Sequence, residues 1–264
     1  MRQTSRIVAI VLALLAAPQP AYAGWDLLLF FGRAFPRSDD RLTFPLPPPS
    51  VPGVDVTVAG TPRLETDGGP TFGGALAAEA GVIGFEGRFD AVQIGFDLTG
   101  AQYHLLGVEP PLTGLTATVV LPDGRFDIDR LKLWSFNLRI RTPGPVGLVA
   151  SGGLTFLPEF EVSGSVPVTV QDGPVAGSSA QLRLAVAPGE SGSRRGVNAG
   201  AGLRIGGERV ALVAEGRVFY FREYELQILS EGDLPIFGDA STSFRPVQFR
   251  PPIVTAQAGL LFRF

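Results

Sequence analysis

Charged and amide side chains recur at alternate positions inside otherwise apolar segments of this 264-residue chain. Alternate residues of a β-strand point to one face, so each such segment places its polar groups on one side. The residues with this spacing are Glu79, Glu86, Arg88, Asp90, Asn137, Arg139, Arg141, Arg204, Glu215 and Arg217. Acids and arginines on one side of a sheet can form ion pairs, or can guide a charged solute between them.

Side chains suited to catalysis or metal binding are few. The single histidine, His104, has no serine near it in the sequence, and we expect it to be a solvated residue at a rim. Asp39 and Asp40 are adjacent acids, but without a second acid and a histidine pair they indicate a solvated turn. The chain has no cysteine, which excludes thiolate zinc sites. We therefore predict no catalytic residue, no metal site and no cofactor.

Eight segments of about ten residues alternate between polar and apolar residues and predict β-strands. They are 24–35, 71–80, a segment from about 85 past 96, 127–141, 146–160, 196–205, 209–224 and 254–264. Short gaps that contain Gly or Pro alternate with long stretches, of which 36–70 is the most proline-rich. Proline in that density argues against a strand, so we expect 36–70 to lie outside the sheet. Residues 162–170 and 181–187 also alternate. We favour an extension of a hairpin there because Pro167 weakens a strand, and ten strands remain the alternative.

The fold predicted from this pattern is all-β: an antiparallel up-and-down barrel of about eight strands, with short turns at one end and long loops at the other. The apolar parity, such as Trp134, Phe136 and Leu138, would face outward. An eight-stranded barrel is just wide enough for side chains to fill it, so the inward charges must pair. We call the ten residues named first the lumen network. Its slight excess of arginine would favour anions if a narrow path exists.

The first 23 residues have the features of a cleaved secretory signal peptide. Arg2 and Arg6 precede an apolar run, Ile7 to Ala17, that is too short to span a bilayer. Ala21 to Ala23 form a small-residue cleavage site. We expect two segments, a signal peptide at 1–23 and a barrel domain at 24–264. Loss of the two arginines takes the formal net charge from −3 to −5, which argues against nucleic acid as a partner.

The last eight residues, QAGLLFRF, place Gln257, Gly259, Phe262 and Phe264 in the pattern of an assembly signal. This ending resembles the C-terminal strand of Gram-negative outer-membrane barrels, and the whole pattern is similar to the barrel domain of the outer membrane protein A family. The resemblance implies export to the periplasm and insertion in the outer membrane as a monomer. Its implied partners are membrane lipid, lipopolysaccharide and the barrel assembly machinery.

The resemblance specifies a location more closely than an activity, because barrels of this shape serve unrelated functions. We expect a structural or surface-interaction role with a lumen plugged by arginine and glutamate. The alternative is a narrow porin-like channel for small solutes. A third possibility is a lipid-modifying enzyme that uses His104, although we expect the protein not to be an enzyme.

Overall fold

The computed structural model of the chain consists of antiparallel β-strands, seventeen in the part it describes. The described residues are 23–36, 42–43, 54–60, 62–110, 113–186, 193–207, 209–222, 224–231, 247–249 and 252–264. The predicted signal peptide, except for its last residue, lies outside them, as do Asp39 and Asp40.

Eight long strands close into a barrel, which confirms the predicted fold class. In order around the barrel they are β1 (Ala23–Pro36), β4 (Arg63–Ala80), β5 (Ile83–Thr99), β8 (Gly124–Arg141), β9 (Val146–Leu157), β13 (Arg194–Gly206), β14 (Val210–Phe221) and β17 (Pro252–Arg263). Each strand pairs with the next, and β17 pairs with β1 along Asp26 to Pro36. Closure leaves no edge strand, so the backbone groups of all eight strands have partners on both sides.

Short turns join the barrel strands at one end, which we call the turn end. Gly81 and Gly144 have positive φ angles of 67° and 104°, a conformation that glycine adopts without steric cost. The turns around these two residues connect β4 to β5 and β8 to β9. The opposite end of the barrel, where the long connections lie, is the loop end.

The long connections build a second sheet at the loop end. Its strands are β3 (Val54–Ala59), β6 (Ala101–Gly107), β7 (Thr116–Leu121), β11 (Val166–Val170), β12 (Ser179–Val186), β15 (Tyr224–Glu231) and β16 (Val247–Phe249), arranged in the order β16-β15-β12-β11-β7-β6-β3. Short strands β2 (Leu42–Thr43) and β10 (Val162–Ser163) pair with β4 and β8. Strands β11 and β12 belong to this sheet and not to the barrel. The prediction that 162–170 and 181–187 extend a hairpin is therefore confirmed, and the ten-stranded alternative is wrong.

The prediction that 36–70 lies outside any sheet is wrong, because Pro36 ends β1 and the short strand β2 lies within this stretch. Strand β3 occupies Val54–Ala59, and β4 begins at Arg63, eight residues earlier than predicted. Proline at position 70 is tolerated because the pairing of β4 with β5 shifts register between Gly68 and Thr71. A bulge of this kind interrupts the ladder where proline cannot donate a hydrogen bond.

The polar and apolar residues of β5 exchange faces halfway along the strand. Toward the turn end, inward positions are charged, as at Glu86 and Arg88, and outward positions are apolar, as at Phe85. Toward the loop end, the inward residues are apolar and fully buried, as at Phe96, while the outward residue Asp97 is exposed. The same alternate positions of β5 face inward along its whole length. The medium around the strand must therefore differ between its two halves.

Strand β8 undergoes the same exchange at the same level. Trp134 faces outward and Asn137 inward toward the turn end, whereas Lys132 faces outward and Leu133 inward toward the loop end. Lys132 pairs across the ladder with Ala91, immediately after Asp90. These two neighbouring strands therefore share a boundary between a section whose inward residues are polar and a section whose inward residues are apolar.

Apolar side chains fill the interior on the loop-end side of this boundary. One continuous buried cluster joins Ile94 and Phe96 of β5 to Leu105, Val168 and Leu182 of the second sheet. The second sheet thus shares an apolar core with the loop-end parts of the barrel strands, as two sheets do in a water-soluble β-protein. These apolar side chains lie where the barrel strands meet the second sheet.

Alkaline pH is expected to destabilise the second sheet through Tyr103. Burial raises the pKa of Tyr103 from 10.0 to about 12, so the folded chain keeps a proton that the unfolded chain loses. The free energy of unfolding should therefore fall as the pH rises from about 10 to about 12. Tyrosinate absorbance and urea unfolding, each followed against pH, should both lose this step in Tyr103→Phe. An unchanged alkaline profile in the variant would contradict the assignment.

Candidate functional site

All ten residues of the predicted lumen network lie in the barrel interior, on the turn-end side of the boundary. Nine of them are buried, and Arg141 is half-buried at the turn end. The strands that carry them are β4, β5, β8, β13 and β14. Because these strands face one another across a narrow lumen, residues far apart in sequence come within hydrogen-bonding distance.

Arg217 is the centre of the buried ion pairs. Its Nε donates to Glu215 Oε1 at 2.8 Å, and its Nη2 lies 3.3 Å from Glu86 Oε1, on the far side of the lumen. Nη2 also donates to Ser151 Oγ at 2.5 Å, and Nη1 donates to Asn198. One guanidinium group therefore ties β14 to β5, β9 and β13 through charge-assisted hydrogen bonds.

Arg88 is a second centre in the same layer. Its Nε and Nη2 bind both oxygens of Asp90, at 2.8 and 3.1 Å, and its Nη1 lies 3.1 Å from Glu215 Oε1. Nη2 also donates to Gln257 of β17. The guanidinium carbon lies 4.0 Å from the centre of the Phe30 ring, a cation–π contact that covers its remaining face. Glu215 thus joins the two arginines into one network.

Neutral polar side chains complete this layer. Asn137 donates to Glu86 at 2.9 Å, and Asn198 donates to the side-chain oxygens of Asn137 and Thr155, each at 2.8 Å. The Thr155 hydroxyl lies 2.9 Å from that of Ser135. Buried charges are stable only when their remaining donors and acceptors have hydrogen-bond partners. The side chains of Asn137 and Asn198 supply such partners for Glu86 and Arg217.

Gly200 makes room for the network. A Cβ atom at this position would lie 2.9 Å from Glu215 Oε1 and 3.1 Å from the guanidinium carbon of Arg217. Any other residue would therefore displace the ion pair. Packing inside the lumen therefore explains the glycine at position 200.

A separate cluster of charges lies nearer the turn end. Arg263 binds both oxygens of Asp26, each at 2.8 Å, and lies 2.5 Å from Glu79 Oε2. Arg141 lies 2.6 Å from the same oxygen of Glu79. Arg139 lies 3.6 to 4.0 Å from carboxylates of Asp26, Glu79 and Glu86, so it links this cluster to the layer above.

Asp26 is the main residue of the site that sequence reasoning missed. Its strand carries apolar residues on both faces, since Leu28 and Phe30 are buried inside while Leu29 is exposed. The alternation that identifies inward positions elsewhere is therefore absent from β1. The isolated acid in an apolar strand was the available signal, because a carboxylate facing lipid or core needs a partner.

The four residues of the predicted assembly signal occupy different environments in β17. Gln257 is buried, donates to Asp90 at 2.9 Å and belongs to the lumen network. Gly259 lies against Leu29 and Phe30 of β1 with no space for a side chain. Phe262 is half-buried and Phe264 is 78% exposed. Two of the four residues thus contribute to packing within the barrel itself.

His104 lies far from the lumen, on the exposed face of the second sheet. Its Nδ1 is 3.2 Å from Thr118 Oγ1, and that hydroxyl donates to Asp172 Oδ2 at 3.0 Å. The hydroxyl therefore bridges the imidazole and the carboxylate. Among the described residues, no group of three or more His, Cys, Asp or Glu is placed to hold a metal ion.

Comparison with protein-family models gives no match to this chain, and comparison with curated proteins gives no significant relative. No helix within the described ranges is both long and apolar enough to cross a bilayer.

Proposed function

We propose that this protein is an integral outer-membrane barrel of a Gram-negative bacterium, with a structural or surface-interaction role and a closed lumen. The observation that carries the proposal is the exchange of chemistry along β5 and β8. Outward residues are apolar where inward residues are charged, and the relation reverses at Asp90 and Lys132. A barrel surrounded by lipid over one section and by water over the next requires this reversal.

The outer surface of the polar-inside section supports a lipid contact. Large apolar side chains are exposed there on every strand of the barrel, including Phe31, Phe85, Phe136, Leu203 and Leu212. An exposed belt of this extent would be an aggregation surface in water. In a bilayer the same belt would be stabilised by contact with acyl chains.

Two cations on the outside of β8 support a contact with lipopolysaccharide. Lys132 and Arg130 extend the outward face of the strand just beyond Trp134, at the boundary level. The Arg130 guanidinium lies 5.3 Å from the centre of the Phe72 ring. Cations directly above an apolar belt are positioned to meet the phosphates of an outer leaflet.

The filling of the interior supports a closed lumen. Arg139 and Arg217 are both almost completely buried, and each lies among carboxylates from other strands. Beyond the boundary, the apolar cluster around Phe96 fills the loop end. A solute would have to break the charged layer and then cross an apolar core, which supports the closed lumen over the porin-like alternative.

The second sheet supports a surface role. The outer face of this sheet carries exposed polar side chains, among them Gln102, His104 and Thr169, and on the proposed orientation this face points away from the cell. We also propose that the barrel assembly machinery inserts the protein by way of β17, and that the inserted protein is a monomer.

Planar-bilayer conductance of the refolded mature protein tests the closed lumen. Gel mobility before and after heating first establishes that the barrel is folded, and a known porin in the same bilayer serves as the positive control. We expect no discrete currents from the protein. We also expect none from Arg217→Ala, because the apolar core at the loop end remains.

Steady discrete currents from the verified barrel would contradict a closed lumen. If Arg217→Ala then altered their size, the narrow-channel alternative would replace the structural role.

A further inference from the structure

The turn end of the barrel contains an open cavity of about 1090 Å³ whose lining carries an excess of positive charge. Among the described residues, the charged groups that line it are Arg141, Arg204, Arg209, Arg263 and Glu79. Glu208, which neighbours Arg209 in sequence, lies outside the described residues. Glu79, Arg141 and Arg204 belong to the lumen network, so the cavity borders that network.

The arginines that line the cavity differ in how far they are neutralised. Arg141 and Arg263 share Glu79, and Arg263 also binds Asp26. Arg204 and Arg209 have no carboxylate within ion-pair distance in the described part of the chain. The two carboxylates at this end are already occupied by three arginines, since Arg139 approaches both of them.

Arg204 is the decisive residue because it is only 4% exposed and yet has no carboxylate within ion-pair distance among the described residues. Its Nη1 donates to the carbonyl of Gly144 at 3.1 Å, and its Nη2 donates to that of Gly207 at 2.6 Å. Its Nε, also buried, has no hydrogen-bond partner. Two turns therefore hold a guanidinium group in place at the cavity wall, and part of its donor capacity remains without a partner.

We propose that this cavity, the turn-end cavity, binds a small multivalent oxyanion of the phosphate class. Guanidinium groups recognise tetrahedral oxyanions with paired hydrogen bonds, and a buried, fixed arginine loses little entropy on binding. Exposed Arg209 can close over an anion held by Arg204. The phosphate could be a free ion or the headgroup of a lipid. The site goes beyond the structural role, because it does not depend on whether the lumen conducts.

Calorimetric titration of the folded mature protein in an uncharged detergent tests the proposal. One arm uses inorganic phosphate, and a second uses a short-chain phosphatidic acid below its critical micelle concentration. We expect saturable binding in at least one arm, weakened by added sodium chloride because the contact is ionic. Binding in the first arm assigns a free phosphate, and binding confined to the second assigns a lipid headgroup.

Two substitutions identify the site. Arg204→Met and Arg209→Met should each weaken binding by about tenfold or more, which corresponds to loss of one charge-assisted contact. Arg209 is exposed at a turn, so its variant is expected to fold even if Arg204→Met does not. Arg125→Met is the control, because Arg125 is at the loop end and already contacts three aspartates. No saturable binding in either arm, or full affinity in Arg209→Met, would overturn the proposal.

Discussion

Replacing Arg217 with methionine should reduce the free energy of unfolding of the barrel by about 3 to 5 kcal/mol. Methionine retains much of the volume but leaves Glu215 and Glu86 buried without the guanidinium group that lies 2.8 and 3.3 Å from them. It also removes the donor to Ser151. Removal of one partner from a buried ion pair costs more than the pair contributes, because the remaining charge stays desolvated.

Arg125→Met is the matched control for this substitution. Arg125 also faces three carboxylates, those of Asp67, Asp97 and Asp127, at 2.9 to 3.2 Å, but its side chain is 46% exposed. Water compensates for the lost contacts, so its effect should stay below about 1 kcal/mol. The number and distances of the ionic contacts are similar, and burial is the difference.

Urea unfolding of the protein in lipid vesicles would measure both effects, with Trp25 and Trp134 as fluorescent probes on the outer surface of the barrel. The expected result is a large shift of the midpoint for Arg217→Met and a small one for Arg125→Met. Equal shifts would show that the lumen is well hydrated, which would contradict a plugged interior and favour a water-filled path.

Leu138→Arg is expected to cost about 2 to 4 kcal/mol in a bilayer, although Leu138 is already 47% exposed on the surface of the barrel. The side chain points outward from β8, between Phe136 and Ile140 on the same face. In a water-soluble protein, an arginine at an exposed position is tolerated within about 0.5 kcal/mol. The size of the effect therefore distinguishes lipid from water as the surrounding medium.

Leu106→Arg provides the matching control. Leu106 is 45% exposed, nearly the same fraction, but it lies on the outer face of the second sheet. We expect this variant to fold and insert like the natural protein, with a change in unfolding free energy within about 0.5 kcal/mol. Refolding yield into vesicles and urea unfolding would be measured for both variants. If both substitutions are tolerated equally, the apolar belt does not contact lipid.

The strands of the barrel could be predicted where one face is apolar and the other polar. The predicted segment 196–205 compares with Arg194–Gly206, and 24–35 compares with Ala23–Pro36. Alternation with a period of two is a property of a single strand, so it can be read without knowledge of the partner strand. The short turns were predictable for the same reason, because Gly81 and Gly144 carry a local conformational requirement.

The second sheet could not be predicted in the same way. Its strands are short, and the residues that pair between β12 and β15 lie 40 to 50 positions apart in the sequence. Proline-rich stretches such as 36–70 indicated loops, yet Pro70 is accommodated at a bulge and Pro167 pairs within β11. Pairing over such separations depends on a shared core. Local turn propensity therefore cannot predict which of these strands will pair.

The sequence by itself determined which face of most strands is charged, because parity follows from the pleat of the backbone. The tertiary structure alone decided which charges meet. Arg217 reaches Glu86, 131 residues away, because closure and stagger bring β14 opposite β5 across the lumen. Arg204, in contrast, binds two backbone carbonyls and has no carboxylate within ion-pair distance in the described part of the chain. The alternation of each strand is the same in both cases, and only the three-dimensional closure of the barrel separates a paired arginine from an unpaired one.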